Sequence, residues 1–255
     1  MKYYAIASGL LSLVVSPPVS AQDKEAEKLF RDMEKSILAA KGVEVHFDYQ
    51  VENKDGEKWK WKTKGSLLVT KDNQAQLKVN GYFTDERDAP FQLVSDGKQL
   101  ITKGAKFVVA TNGVPGVEQG GQWEQKTPKK FHAALGALVS RGGMWYSLFV
   151  MPYLLREGID PNAEGSRMAA YDFKLSAPEK VGGRNAKVIR YRFGDGGKDG
   201  PEVILWIDAK TLLPLKRVFD LRKNRGVVSE ILITETYHRF TLDPKVGANV
   251  FELPK

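Results

Sequence analysis

Three histidines, His46, His132 and His238, are the first residues to weigh for chemistry, and their placement argues against a metal site. Zinc ligands come in pairs a few residues apart or one helical turn apart, and none of the three has such a neighbour. His46 and His238 fall on the polar phase of strand-like alternation and read as solvent-facing. The run Gly194-Asp195-Gly196-Gly197-Lys198-Asp199-Gly200 resembles a calcium loop, but it lacks the closing Glu and the ligand spacing, so it reads as a hairpin loop. There is no cysteine nucleophile, no Gly-x-Ser-x-Gly elbow and no phosphate-cradling glycine loop. Asp48, Glu52, Glu202 and Glu230 alternate with Lys and Arg on strand-like segments, which points to cross-strand ion pairing rather than acid–base work. No catalytic residue, metal or cofactor is expected; the protein is not expected to be an enzyme.

What remains is apolar recognition. Phe47, Tyr49, Trp59, Trp61, Trp145, Tyr146, Phe149 and Trp206 supply more aromatic bulk than a small β core needs. Two readings stay open: they fill a core, or they line a hollow. A hollow of this kind gains about 25 cal/mol per Å² of apolar surface it buries, enough for one acyl chain to contribute several kcal/mol.

The elements that must position these residues begin after an export signal. Residues 1–21 carry Lys2, an apolar stretch over 5–15, the helix breakers Pro17-Pro18 and small residues before Gln22. That is the layout of a signal cleaved near Ala21-Gln22, and its apolar run is about half the roughly 20 residues that a membrane span needs. No Cys follows the cleavage point, so a soluble periplasmic protein without an N-terminal lipid is expected. Cleavage removes Lys2 and lowers the formal charge from +8 to +7. The excess has two readings: an ordinary solvated surface, since 27% of residues are charged, or attraction to anionic partners such as phospholipid headgroups, lipopolysaccharide or acidic polymers. Nucleic acid is not expected in an exported chain with no recognition motif.

Residues 22–41 form an amphipathic helix, with Leu29, Phe30, Met33, Ile37 and Leu38 on one stripe. Strict alternation follows in Val43, Val45, Phe47, Tyr49 and Val51, then in later runs to residue 110, giving about six antiparallel strands. Residues 112–126, rich in Gly and Gln, read as a surface loop. Residues 128–157 hold two helices parted by Gly142-Gly143; the second, from Met144 to Leu155, is apolar nearly all round and contains Pro152. About five more strands occupy residues 170–240. The expected fold is mainly β (α+β): an antiparallel curved sheet of about eleven strands forming a half-barrel. An N-terminal helix and a mid-chain helical lid complete a single domain over residues 22–255.

Within this framework the segment Leu93-Val94-Ser95-Asp96-Gly97-Lys98-Gln99-Leu100 is a hairpin, with Asp96-Gly97 expected to supply the positive φ of a type I′ turn. It resembles the Val-Ser-Asp-Gly-Lys-x-Leu hairpin of the LolA-like superfamily of periplasmic lipoprotein carriers. The strand Gly65-Ser66-Leu67-Leu68-Val69, the hairpin from Trp206 to Pro214 and the closing Phe240-Thr241-Leu242-Asp243-Pro244 … Phe251-Glu252-Leu253-Pro254 are similar to that superfamily in the same order. The resemblance spans the mature chain and implies a half-barrel whose helical lid shields acyl chains. It implies a cavity and lid drawn from Phe47, Tyr49, Trp61, Leu77, Trp145, Leu148, Phe149 and Leu154. The partners it implies are a lipid, acyl chain or lipoprotein, together with membrane-bound release or acceptor proteins, and the protein is expected to be a monomer. The carriers hold the lid with a strand Arg; counting from Gly65, Lys71 occupies that register and is the lid-contact candidate. Lysine is a point donor without the planar fork of arginine. The chain therefore reads as a divergent member, with an envelope-stress sensing or regulatory module of the same fold as the alternative.

Overall fold

The computed structural model describes residues 21–53, 60–82, 90–104, 106–109, 115–118, 121–157, 168–194, 200–221 and 231–254. The expected signal (save Ala21), the turn at Asp55-Gly56, Trp59 and most of the 194–200 loop lie outside the described residues. Helix α1 (Ala21–Ala39) is followed by β1 (Gly42–Asn53), β2 (Lys60–Thr70), β3 (Gln74–Tyr82), β4 (Phe91–Asp96) and β5 (Gln99–Gly104). A small hairpin, β6 (Lys106–Val109) and β7 (Pro115–Glu118), leads to β8 (Trp123–Lys126) and the long helix α2 (Phe131–Glu157). The chain ends in β9 (Ala169–Val181), β10 (Arg184–Gly194), β11 (Glu202–Asp208), β12 (Pro214–Asp220) and β13 (Ile231–Leu242).

Eleven strands form one open antiparallel sheet in the order β8-β5-β4-β3-β2-β1-β13-β12-β11-β10-β9. It consists of two meanders zipped together by the first and last strands, β1 and β13, whose ladder shifts register between His46 and Phe47. The expected sheet and helices are thus present, with two differences. Within the expected 112–126 loop, Pro115–Glu118 pairs with Lys106–Val109 in a separate two-stranded sheet, and Trp123–Lys126 forms an edge strand on β5. Edge pairing is made by backbone groups, so a Gly- and Gln-rich neighbourhood does not forbid it.

Both helices lie on one face. In α1, Ala26, Leu29, Phe30, Met33 and Ile37 are buried at spacings of three and four, as the stripe predicts. Phe30 sits 5.0 Å from the rings of both Phe173 and Tyr191. The inward phase of β1, Val43, Val45, Phe47, Tyr49 and Val51, is buried with them in one continuous cluster. Because Ile37 is fully enclosed, Ile37→Val should cost about 0.5–1.5 kcal/mol in urea unfolding. No measurable cost would mean that α1 does not pack as described.

The Leu93–Leu100 hairpin forms, but its turn is shifted by one residue. Positive φ falls on Gly97 (96°) and not on Asp96, so Gly97 and Lys98 are the central pair, in the glycine-first pattern of a type II′ turn. Asp96 instead accepts the amides of Lys98 and Gln99, each at 2.7 Å. Those bonds hold its carboxyl below the usual carboxylate range. An Asp side chain that competes for the turn amides moves the φ > 0 position to the following glycine.

Candidate functional site

Helix α2 is broken. Gly143 has φ 68° and ψ −171°, which divides the helix into an arm before the break and an arm after it. The break falls at the Gly142-Gly143 pair, as the sequence implies; the second arm continues through Pro152 to Glu157 rather than ending there, although a proline removes one ladder amide and crowds the carbonyl four residues back. A broken helix leaves carbonyls at the end of its first arm and amides at the start of its second without internal partners. Where these groups find partners defines the site.

The strands beneath provide them. Arg217 on β12 is wholly buried. Its Nη1 donates to the Val139 carbonyl at 3.0 Å and its Nη2 to the Ser140 carbonyl at 2.6 Å. The Tyr191 hydroxyl donates to the Arg141 carbonyl at 2.6 Å. On the other side of the break, the Met144 amide donates to Glu235 Oε2 at 3.2 Å, and Glu235 is equally buried. Arg217 and Glu235 are direct cross-strand partners, with Nη1 and Oε2 3.8 Å apart. Tyr237 bridges them, its hydroxyl accepting from Arg217 at 3.1 Å and donating to Glu235. The cation thus meets the negative end of one arm and the anion the positive end of the other, the arrangement the helix dipole favours.

Burial sets the electrostatics. Desolvation raises the phenols of Tyr49 and Tyr237 above their usual range and pushes Tyr191 up to about 12. Desolvation works against the Arg217 cation, yet Tyr191, Tyr237 and Glu235 together lift its pKa above the ordinary value. The guanidinium therefore stays charged, and its Nε is buried without a hydrogen-bond partner. A second tie lies nearby: Arg141 Nε donates to Glu34 of α1 at 2.5 Å, and Arg141 also reaches the Met168 carbonyl at 3.4 Å.

Phe47, Tyr49 and Leu77 are brought together on the concave face and are essentially inaccessible, with the Phe47 and Tyr49 rings nearly parallel at 6.2 Å. Trp61 occupies the β2 position opposite Val51, and Trp145, Leu148, Phe149 and Leu154 lie in the second arm of α2. The side chains of these five are outside the described residues. Lys71 is exposed in the β2–β3 turn, its amide bonded to the Lys41 carbonyl at 2.9 Å. That turn does touch α2, since Asn73 Oδ1 accepts the His132 amide at 3.1 Å. His132 titrates below its usual value, chiefly through burial and then through the Lys71 charge. The fork that grips the break, however, belongs to Arg217. Trp206 lies apart from the main core, in a separate cluster with Ala186, Val188 and Leu215.

Sequence reasoning missed Arg217 and Glu235, although one signal was present. In β13, Ile231, Ile233, Glu235 and Tyr237 share the inward phase, so alternation alone places a carboxylate among core residues. Among the described residues, no group of three His, Cys, Asp or Glu side chains is placed to hold a metal, and no helix is long and apolar enough to cross a membrane.

The fold and the clasp together define an open-sheet protein whose concave face is covered by a broken helix. The element order is the one that the LolA-like resemblance implies. No family model and no curated protein matches the chain. Among solved structures it is similar to the lipoprotein LppX of Mycobacterium tuberculosis, at 14% identity over 88% of this chain and 98% of that one, TM-score 0.43. It is similar to LprF from Mycobacterium bovis at 12% identity, over 89% and 97% of the two chains, TM-score 0.45. A third is the MucA/MucB complex of Pseudomonas aeruginosa, at 15% identity over 90% of this chain; this chain spans 61% of that one, TM-score 0.41.

Proposed function

We propose that the protein is an exported binding protein that admits a lipid or acyl moiety to the apolar concave face when the second arm of α2 lifts at Gly143. The observation that carries this reading is the clasped break. A buried ion pair contributes little net stability compared with apolar residues of the same size. Its value here is to hold two helix ends at one place over an apolar face, which is what a lid with two positions needs. Support also comes from the second arm, apolar nearly all round, from the motifs shared with LolA-like carriers, and from the signal-like residues 1–21. With Phe47, Tyr49 and Leu77 enclosed, a ligand enters only as the lid moves.

Native mass spectrometry of protein purified without detergent, with a fluorescent fatty-acid titration, tests the proposal. Carried lipid or saturable binding is expected; neither appearing would sink it, and a stable protein partner in its place would favour the sensing module. Phe149→Asp should weaken fatty-acid binding about tenfold or more, the worth of one buried aromatic, while leaving the melting temperature of the sheet nearly unchanged. Equal loss of binding and stability would make that arm a fixed part of the core.

A further inference from the structure

A row of polar side chains crosses the middle of the apolar inner face. Thr63, Tyr49, Glu235 and Arg217 are successive register partners on β2, β1, β13 and β12, and all are buried. Val51, Ile233 and Phe219 flank that row on one side, with Phe47 and Tyr237 on the other. The row lies under the break in α2, so what moves at the break decides which of its groups a ligand meets.

The peptide joining Gly143 to Met144 faces two ways. Its carbonyl accepts the Ser147 hydroxyl of the second arm at 2.6 Å, and its amide donates to Glu235 Oε2 at 3.2 Å. A Cβ on Gly143 would fall on the same carboxylate, so this backbone lies directly against Glu235. A peptide moves as one plane, and Ser147 ties this one to the second arm. Rotation at Gly143 therefore carries the Met144 amide away from Glu235. The first arm keeps its ties, because Arg217 still holds the Val139 and Ser140 carbonyls and Tyr191 the Arg141 carbonyl. Opening thus takes a donor from the carboxylate and leaves the acceptors of the guanidinium in place. Glu235 keeps Tyr237 and Arg217 beside it. A carboxylate that gives up an N–H next to an apolar surface favours any ligand that brings a donor to the same place.

Resting on the lid reading above, we propose that Glu235 is a specificity-determining residue for the head of the ligand. It accepts a hydrogen bond from an uncharged donor, a hydroxyl or an amide N–H, in the position that the Met144 amide vacates, while the chain lies on the apolar face. A carboxylate head has no hydrogen to give and meets the Glu235 charge; an ester head only accepts. The site thus prefers acyl ligands with a donating head to free fatty acids and simple esters. A hydrogen bond to a charged group gives about tenfold or more in affinity.

Displacement of a bound fluorescent fatty acid by oleoyl ligands of one chain length tests the assignment. Monooleoylglycerol donates an O–H and N-methyl oleamide an N–H; methyl oleate and oleate donate nothing. Each donor should displace the probe at about a tenfold or more lower concentration than methyl oleate, and oleate should do no better than methyl oleate. A gain with only one donor supports the assignment and identifies the donating group. In Arg217→Met/Glu235→Leu, which removes the charges as a pair, the ligands with and without a donor should displace alike. A preference that survives in this variant, with its circular dichroism spectrum unchanged, would overturn the role of Glu235. The wild-type series decides by itself if the variant does not fold. Equal displacement by every ligand there would overturn the role of Glu235 and leave the lid reading standing. A wild-type chain that binds neither the probe nor any of the ligands would overturn both.

Discussion

Arg217→Met is expected to lower the unfolding free energy by about 3–5 kcal/mol, because it strands the Glu235 carboxylate in a buried, apolar setting. Glu235 is wholly enclosed, and after the substitution it keeps the Tyr237 hydroxyl and the Met144 amide but loses its cation. The Val139 and Ser140 carbonyls lose their donors at the same time, and leaving these buried acceptors unsatisfied is part of that cost. The double variant Arg217→Met/Glu235→Leu should recover much of the loss, since an apolar pair replaces the ionic one without leaving a lone charge. Urea unfolding of the wild type, both single variants and the double variant closes the cycle. A coupling near zero, or a double variant no better than the worse single one, would mean that the pair does not act as a unit. In the proposed function the double variant separates two roles. It should fold, yet its lid should be set free from the strands, so fatty-acid binding should change even where stability is restored.

Much of this architecture is legible in the sequence because its periodicities are local. The α1 stripe and the β1 alternation both predict which residues are buried, and Phe30, Ile37, Phe47 and Tyr49 are all enclosed. The break at Gly142-Gly143 is legible for the same reason: two glycines in a helical pattern are a local signal. The clasp is not. Arg217 is bonded to residues 77 and 78 positions away in the chain, and no local pattern states which strand will lie under which turn of a helix. Lys71 illustrates the difficulty: counting from one motif places a cation in the β2–β3 turn, while the fork that holds the break comes from the other meander. The register of β1 on β13 brings Tyr49 beside Glu235, and that pairing joins the first and last strands of the sheet. Trp206 shows a smaller failure of the same kind. Its aromatic bulk suits a hollow, but the strand phase places it in the separate cluster, where Glu179 accepts its indole N–H at 2.8 Å.

Gly143→Ala is expected to cost about 3 kcal/mol or more, from two sources that act at one atom. The first is conformational. With φ at 68° and ψ at −171°, the residue occupies a region open essentially to glycine alone, and a side chain there carries about 1–3 kcal/mol of strain. The second is steric and electrostatic: a Cβ would land on the Glu235 carboxylate and the Arg217 guanidinium. The groups that would have to shift are the ones that grip the two helix arms. At roughly 2–4 °C per kcal/mol for a domain of this size, the melting temperature should fall by about 6–12 °C. Hydrogen exchange should quicken first at the Met144 amide, which would lose its carboxylate acceptor. Gly121→Ala is the matched control: its Cβ would meet nothing within 4 Å, and its effect should stay within about 0.5 kcal/mol. If Gly143→Ala were as mild as that control, neither the glycine-only backbone nor the clasp would hold the break as described.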